Sequence, residues 1–282
     1  MIKLLRANMA RLVKSATFWI FICAYVIYSI AIPVYVKIDS AEYTSEEWLL
    51  NLSMKTLAMG YGIAGASAPA FVVAIVCAIF FGCEFQNGTL KNKFSIGYTR
   101  SQIYVANLLT ACILSFALLA TYLIIFSMLG LPMLGKINSP TKDVAMLFLK
   151  GSIMLIAYSS LFTMITMTSK NPIAALILSV GLVFASFLLM MYFDTVMNRP
   201  QFFYEQKEIF GIHYFEPIPN PNYPSQSKLN FFHFMIDFLP TGQCYSISYK
   251  LDFSWQQIAY SLGWIAVTNC SGMLIFHKSP IK

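Results

Sequence analysis

Charge is what this chain has least of. Asp, Glu, Lys and Arg together supply 11% of its 282 residues, against about 25% in soluble domains. Apolar residues reach 58%, where about 45–50% is usual, and the mean hydropathy is +0.65. So few charges cannot coat a water-soluble domain. The composition predicts an all-α integral membrane protein, with lipid as its organising solvent. Three apolar runs, Ala16–Val36, Gln102–Leu131 and Ile173–Phe193, hold no Asp, Glu, Lys or Arg at all. Charge inside a bilayer is costly and is retained there for function, so this absence weighs against a transporter coupled to protons or sodium. The apolar runs also lack paired aspartates and a His-Glu zinc motif, which weighs against an intramembrane enzyme.

Other signals are missing. There are three histidines, and neither His213 nor His233 has a Cys or His partner at ligand spacing, so no metal site is expected. Gly130–Lys136 fits the spacing GxxxxGK, but Ile137 stands where a phosphate loop needs Ser or Thr to bind magnesium. The run also follows a membrane helix rather than a strand, and no nucleotide site is expected in this chain. Of the six cysteines, only Cys244 falls in an expected outer loop, which excludes an external disulfide framework and leaves core-like thiols. No short apolar stretch near Met1 ends in a small-residue cleavage site, so a cleavable leader is not expected.

What is present is a set of six long apolar runs. They predict spans at about Ala16–Val36, Gly60–Cys83, Gln102–Leu131, Asp143–Ser169, Ile173–Phe193 and Ile258–Phe276. Pro33 is expected to kink or close the first. Gly60, Ala64 and Ala68 open the second at the spacing that lets helix backbones approach. Before the first span, Ile2, Leu5, Met9, Leu12 and Val13 share one helical face, and Lys3, Arg6, Arg11 and Lys14 the other. That pattern predicts an interfacial helix. The formal net charge of +7 would suit nucleic acid, but its distribution argues otherwise. The N-terminus, the loop at 84–101, the turn at Lys170 and the tail carry ten Lys/Arg and one acid, and the remaining loops and flanks nine and eleven. Basic residues collect in the cytoplasm, so both termini are expected inside, with lipid rather than nucleic acid as the partner.

The stretch Gly82–Asn107 separates two apolar runs and concentrates their polar signals. It holds Glu84, an Asn-Gly turn at Asn87 and Gly88, the bases Lys91, Lys93 and Arg100, and Gly97. Thr99 and Gln102 have the spacing of a capping box. The reading is a membrane helix ending near Glu84, a short basic helix at Thr89–Ile96 and a new membrane helix. Glu84, then Gly88-Thr89-Leu90-Lys91, then Gly97 and Thr99-Arg100 resemble the signature of the ABC-2 class of ABC-transporter permeases. The segment Asp237-Phe238-Leu239-Pro240 also resembles a recurring feature of that class.

The resemblance implies one transmembrane domain over residues 1–282, with an interfacial helix at 1–15, a cytoplasmic coupling loop at 84–101 and an extracytoplasmic loop at 194–257. It implies an exporter of drugs, peptides or lipid-like molecules in the cell membrane, paired with a second permease subunit. ATP and magnesium would be bound by a separate ATP-binding subunit, met through Glu84, Gly88, Thr89, Leu90, Lys91, Phe94, Gly97 and Arg100. Leu90 and Phe94, at i and i+4, would form the apolar anchor, with Lys91 and Lys93 at its rim. Glu84 would hold the loop's shape. A membrane sensor or immunity protein that binds a peptide without moving it is the alternative.

Two further expectations concern the remaining chain. Hydroxyls at Ser159, Ser160, Thr163, Thr166 and Thr168 form a polar seam on the fourth span, with Ser159, Thr163 and Thr166 as candidates for a substrate path. Such hydroxyls also bond across helices or back to their own backbone. The interruption at 194–257 holds half of the twelve prolines and fifteen aromatics. That is too aromatic for a disordered linker, so a folded segment is expected, with a short helix at Lys228–Leu239. A second short helix is expected at Glu46–Leu50.

Overall fold

The computed structural model describes residues 1–40, 52–63, 66–209, 212–251 and 254–279, with backbone only at 206–209 and 212–214. The expected helix at Glu46–Leu50 and the small-residue position Ala64 lie outside the described residues. In chain order the elements are α1 (Ile2–Lys14), α2 (Ala16–Asp39), α3 (Leu52–Ala58), α4 (Ala68–Gln86), α5 (Thr89–Ser95) and α6 (Arg100–Leu134). They continue with α7 (Thr141–Ser169), α8 (Pro172–Met197), β1 (Phe202–Ile209), β2 (Ile212–Pro219), α9 (Gln226–Phe238), α10 (Pro240–Tyr245) and α11 (Trp255–Lys278). Six of them, α2, α4, α6, α7, α8 and α11, are long and apolar enough to cross a membrane. Helix α7 packs on α4, α6, α8 and α11 and so forms the centre of the bundle.

The spans follow the apolar runs, with one displaced start. Residues Gly60–Ile63 and Ala66–Ser67, assigned by hydropathy to the second span, are not helical, and Ile63 pairs with Ala66. Helix α4 begins at Ala68 because Ser67 Oγ accepts from Ala70 N at 3.4 Å and Pro69 occupies the first turn. Gly60 therefore lies outside the span and packs against the Tyr122 ring. Pro33 sits inside α2 without ending it.

Ahead of those residues, α3 is a short helix whose Leu52, Met54, Leu57 and Ala58 are all buried. The carbonyls at a buried helix end must find donors inside the protein. Gly62 N donates to Met59 O at 3.0 Å and Met59 N to Thr56 O at 3.2 Å, and tyrosines add to these. Tyr25 OH donates to Gly60 O at 3.2 Å, Tyr28 OH to Met59 O at 2.9 Å, and Tyr122 OH to Thr56 O. Tyr122→Phe keeps the shape and removes the donor. It should lower stability by about 1 kcal/mol, the net worth of one hydrogen bond, because Thr56 O keeps the Met59 N–H as a donor at 3.2 Å; the readout is a fall in unfolding midpoint in detergent.

The segment after α8 is folded, but not wholly helical. Strands β1 and β2 pair antiparallel from Phe202↔Pro219 to Ile209↔Ile212, correcting the expectation of an all-α chain. The aromatics Phe202, Phe203, Tyr204, Tyr214 and Phe215 together with Ile209, Ile212 and Ile218 suit a pleated ribbon better than a helix. At its base, Asn220 N donates to Gln201 O at 3.0 Å and Asn220 Nδ2 to Pro200 O at 2.8 Å. The short helix expected at Lys228–Leu239 runs from Gln226 to Phe238, and Pro240 then opens α10 instead of merely stopping α9. Helix α10 is buried throughout. Cys244, expected in an outer loop, is buried in it and its thiol donates to Tyr61 O at 3.3 Å. Phe193 and Phe232 stack at 4.7 Å and join α8 to α9.

Candidate functional site: a buried carboxylate joint

The stretch around Glu84 folds at one end of the bundle, together with α1 and the C-terminal end of α11. Gly82 supplies space. A Cβ there would lie 2.6 Å from Pro172 Cα, so the α4 backbone and the first turn of α8 meet directly. Gly88 (φ +67°) and Gly97 (φ +99°) flank α5 in the left-handed region, with nothing nearby to obstruct a side chain. Their requirement is conformational, since an L side chain costs about 1–2 kcal/mol there. Helix α6 then starts on a full capping box: Gln102 N donates to Thr99 Oγ1 at 3.3 Å and Thr99 N to Gln102 Oε1 at 3.1 Å.

Glu84 is 1% exposed. Its Oε1 accepts from the Arg11 guanidinium of α1 and from Lys93 Nζ of α5, the latter at 2.6 Å. The Arg11 guanidinium also lies 4.2 Å from the Phe80 ring centroid. Lys93 Nζ donates further to Asn8 Oδ1 at 3.2 Å, Asn8 Nδ2 to Asn107 Oδ1 at 2.8 Å, and Asn107 Nδ2 to Met167 Sδ at 3.3 Å. One connected set of bonds thus ties α1, α4, α5, α6 and α7. Burial pulls the Lys93 ammonium below the ordinary lysine pKa, and the Glu84 carboxylate opposes that pull. Thr89 Oγ1 donates to Glu84 O at 3.3 Å and ties the start of α5 to the end of α4.

Beside this joint, Leu90 is 1% exposed and packs with Leu4, Ile103, Tyr104 and Phe276, with Phe94 partly buried against them. Leu90 and Lys93 thus face the bundle in this chain, where the sequence reading places an anchor and its rim for the ATP-binding subunit. Helical spacing identified one apolar face, but that face turns to α6 and α11. The outward side of the seven-residue helix carries Lys91, Asn92 and Ser95, and Ile96 just past it is 74% exposed. Nothing but its high exposure marks Ile96, and the sequence pattern alone passed over it.

Arg100 has a structural neighbour of its own. Its Nη1 donates to the carbonyls of Phe276, His277 and Ser279, each at 2.7 Å. The guanidinium satisfies the open carbonyls that end α11 and neutralises the negative end of its dipole. Helix α1 turns Leu4, Asn8 and Leu12 inward, while Ile2 and Val13 are exposed. Its apolar stripe is therefore divided between the bundle and the surroundings.

The candidates for a substrate path, Ser159, Thr163 and Thr166, are all buried in the bundle. Ser159 Oγ bonds Ser115 Oγ at 2.8 Å, Asn269 Nδ2 donates to Ser160 Oγ at 3.1 Å, and Thr166 Oγ1 returns to Phe162 O at 2.8 Å. Thr163 is equally buried, with its hydroxyl unpaired. Ser159 and Ser160 thus hold α7 to α6 and α11. Lys150, expected near a membrane surface, is also buried in α7 at 1% exposure.

An open groove of about 410 Å³ runs along the joint, between Arg11, Lys14 and Phe18 on one side and Phe80, Cys83 and Glu84 on the other. Among the described residues no three His, Cys, Asp or Glu gather as a metal site would require. The arrangement offers a carboxylate neutralised by two cations, and its chemistry is that of a charged hinge pin. A family model described as ABC-2 family transporter protein matches residues 4–187, from α1 into α8. No curated protein matches the chain.

Proposed function

Since the chain belongs to the ABC-2 family of transporter membrane proteins, we propose that it is the permease subunit of an ABC exporter, driven by ATP hydrolysed in a separate subunit. The observation that carries this reading is the joint at Glu84. Side chains at the outward side of α5 rest on a connected set of ion pairs and hydrogen bonds that reaches four other helices. A push on α5 from a soluble subunit is then delivered to α1, α4, α6 and α7 as one body.

In this reading Lys91, Asn92, Ser95 and Ile96 form the face offered to the ATP-binding subunit. Gly88 and Gly97 set the loop's shape, Thr89 and Glu84 brace it, and Arg100 anchors it to α11. Leu90 and Phe94 act from beneath. ATP and magnesium bind in the partner, and a second permease subunit completes the membrane unit over residues 1–282. Helix α1 lies at the membrane surface, and the segment 194–257 faces outward. The substrate is a peptide, drug or lipid-like amphiphile. The test is ATP-dependent accumulation of a labelled amphiphilic peptide in inside-out vesicles holding both subunits. Binding without accumulation would favour the sensor reading, and accumulation driven by a proton gradient without ATP would favour an ion-coupled transporter.

Sidedness has its own expected outcome, drawn from the concentration of Lys and Arg at one end of the bundle. In a cysteine-free background, Ser225→Cys should react with a membrane-impermeant thiol reagent in intact cells and Ser95→Cys should not. Both side chains are exposed, so access alone decides. Labelling of Ser95→Cys in sealed cells would invert the topology.

A further inference from the structure

At the end of the bundle opposite Glu84, two cavities meet. The first, about 680 Å³, lies between the end of α8 and α9 and is lined by Arg199 and Lys228 together with Tyr192, Phe193, Phe231 and Phe232. The second, about 260 Å³, is lined by Tyr158, Leu182, Pro240, Thr241 and Trp264. Leu189 and Met235 border both, so the cationic cleft and the apolar compartment adjoin through a shared wall.

The charges in the cleft are of one sign. Among the described residues no Asp or Glu lines it. Arg199 donates from Nη1 to Asn222 O at 3.1 Å, and neither Arg199 nor Lys228 forms an ion pair among the described residues. The nearby Asp194 is engaged elsewhere, accepting from Tyr245 OH and Asn198 Nδ2. Two unneutralised cations over an aromatic wall select an anion attached to something apolar. The length fits as well. Leu182 to Met197, just short of Arg199, covers about 22 Å of helix, room for a headgroup and the roughly 15 Å of one leaflet's hydrocarbon. In the deeper compartment the hydroxyls of Tyr158 and Thr241 are buried without a partner. Either would donate to an ester carbonyl entering there.

We propose that these joined cavities are a binding site for one anionic phospholipid, its phosphate between Arg199 and Lys228 and an acyl chain laid past Leu189 and Met235 toward Trp264. The site does not depend on ATP coupling, and its test is separate from that of transport. A second copy of the chain covering this face, or lipid without selectivity, are the competing occupants.

Trp264 is a built-in reporter, since it lines the deeper compartment. The full chain with Trp19→Phe, Trp48→Phe and Trp255→Phe, reconstituted in phosphatidylcholine vesicles, leaves Trp264 as the one indole. Quenching is then compared for equal mole fractions of acyl-brominated phosphatidylglycerol and acyl-brominated phosphatidylcholine. The expected preference for the anionic lipid is about five-fold or more. It should fall to near parity when Arg199→Gln and Lys228→Gln are added, and excess glycerol phosphate should leave it unchanged. Equal quenching by both lipids, a preference that survives the double substitution, absence of quenching by either, or displacement by glycerol phosphate would each overturn the assignment.

Discussion

Glu84→Ala should be the most damaging single change at the α5 end of the bundle. It leaves Lys93, whose side chain is 11% exposed, without its counter-charge. Arg11, at 38%, can swing partly into water. Breaking a buried pair from one side costs about 3–5 kcal/mol, and the freedom of Arg11 puts this case at about 3 kcal/mol. The expected readout is a large drop in unfolding midpoint in detergent, with loss of ATPase stimulation. Adding Lys93→Met should restore much of the stability, because the stranded ammonium is then gone. A Glu84→Ala protein as stable as the wild type would mean that the joint holds nothing together.

Ile96→Asp should do the opposite: leave the fold intact and abolish docking. Ile96 is 74% exposed, and surface substitutions generally stay within about 0.5 kcal/mol of wild-type stability. At the centre of an interface, though, an apolar anchor is worth about 2 kcal/mol or more, roughly thirty-fold in affinity. Leu90→Ala supplies the contrast. With Leu90 1% exposed among Leu4, Ile103 and Phe276, its truncation should cost about 2–5 kcal/mol of stability. Any loss of association there would follow from misfolding. If Ile96→Asp binds the ATP-binding subunit normally while Leu90→Ala folds normally and fails to bind, the two faces of α5 have been exchanged.

How much of this could be read in advance depended on the range of the interaction involved. The six spans rest on local hydropathy, and the Thr99–Gln102 capping box on a local rule; the chain shows both. The start of α4 was misplaced because Gly60–Ser67 is apolar enough to pass for helix, although Ser67 and Pro69 carry the cap chemistry that marks Ala68. Helix α3 has no sequence signal of its own, since the tyrosines that bond the chain at its end come from distant helices. Helical periodicity found the Leu90 and Phe94 face without revealing what it faces. Likewise Arg11 and Glu84 are 73 positions apart, and neither residue's surroundings in sequence indicate the other. The β-hairpin carries no period-2 pattern in its sequence, since its aromatics are adjacent (Phe202, Phe203, Tyr204; Tyr214, Phe215), and aromatic density alone does not distinguish strand from helix.

Retention of the ATP-binding subunit on the affinity-tagged full-length permease, measured together with ATP hydrolysis by the purified pair, tests the central claim most directly. The account predicts a stable pair and active hydrolysis with the wild type and with Ser225→Asp at the opposite end of the bundle. It predicts loss of both with Ile96→Asp, in a protein whose unfolding midpoint is unchanged. Full retention and wild-type hydrolysis with Ile96→Asp would contradict it, and so would failure of the wild-type permease to hold any ATP-binding subunit.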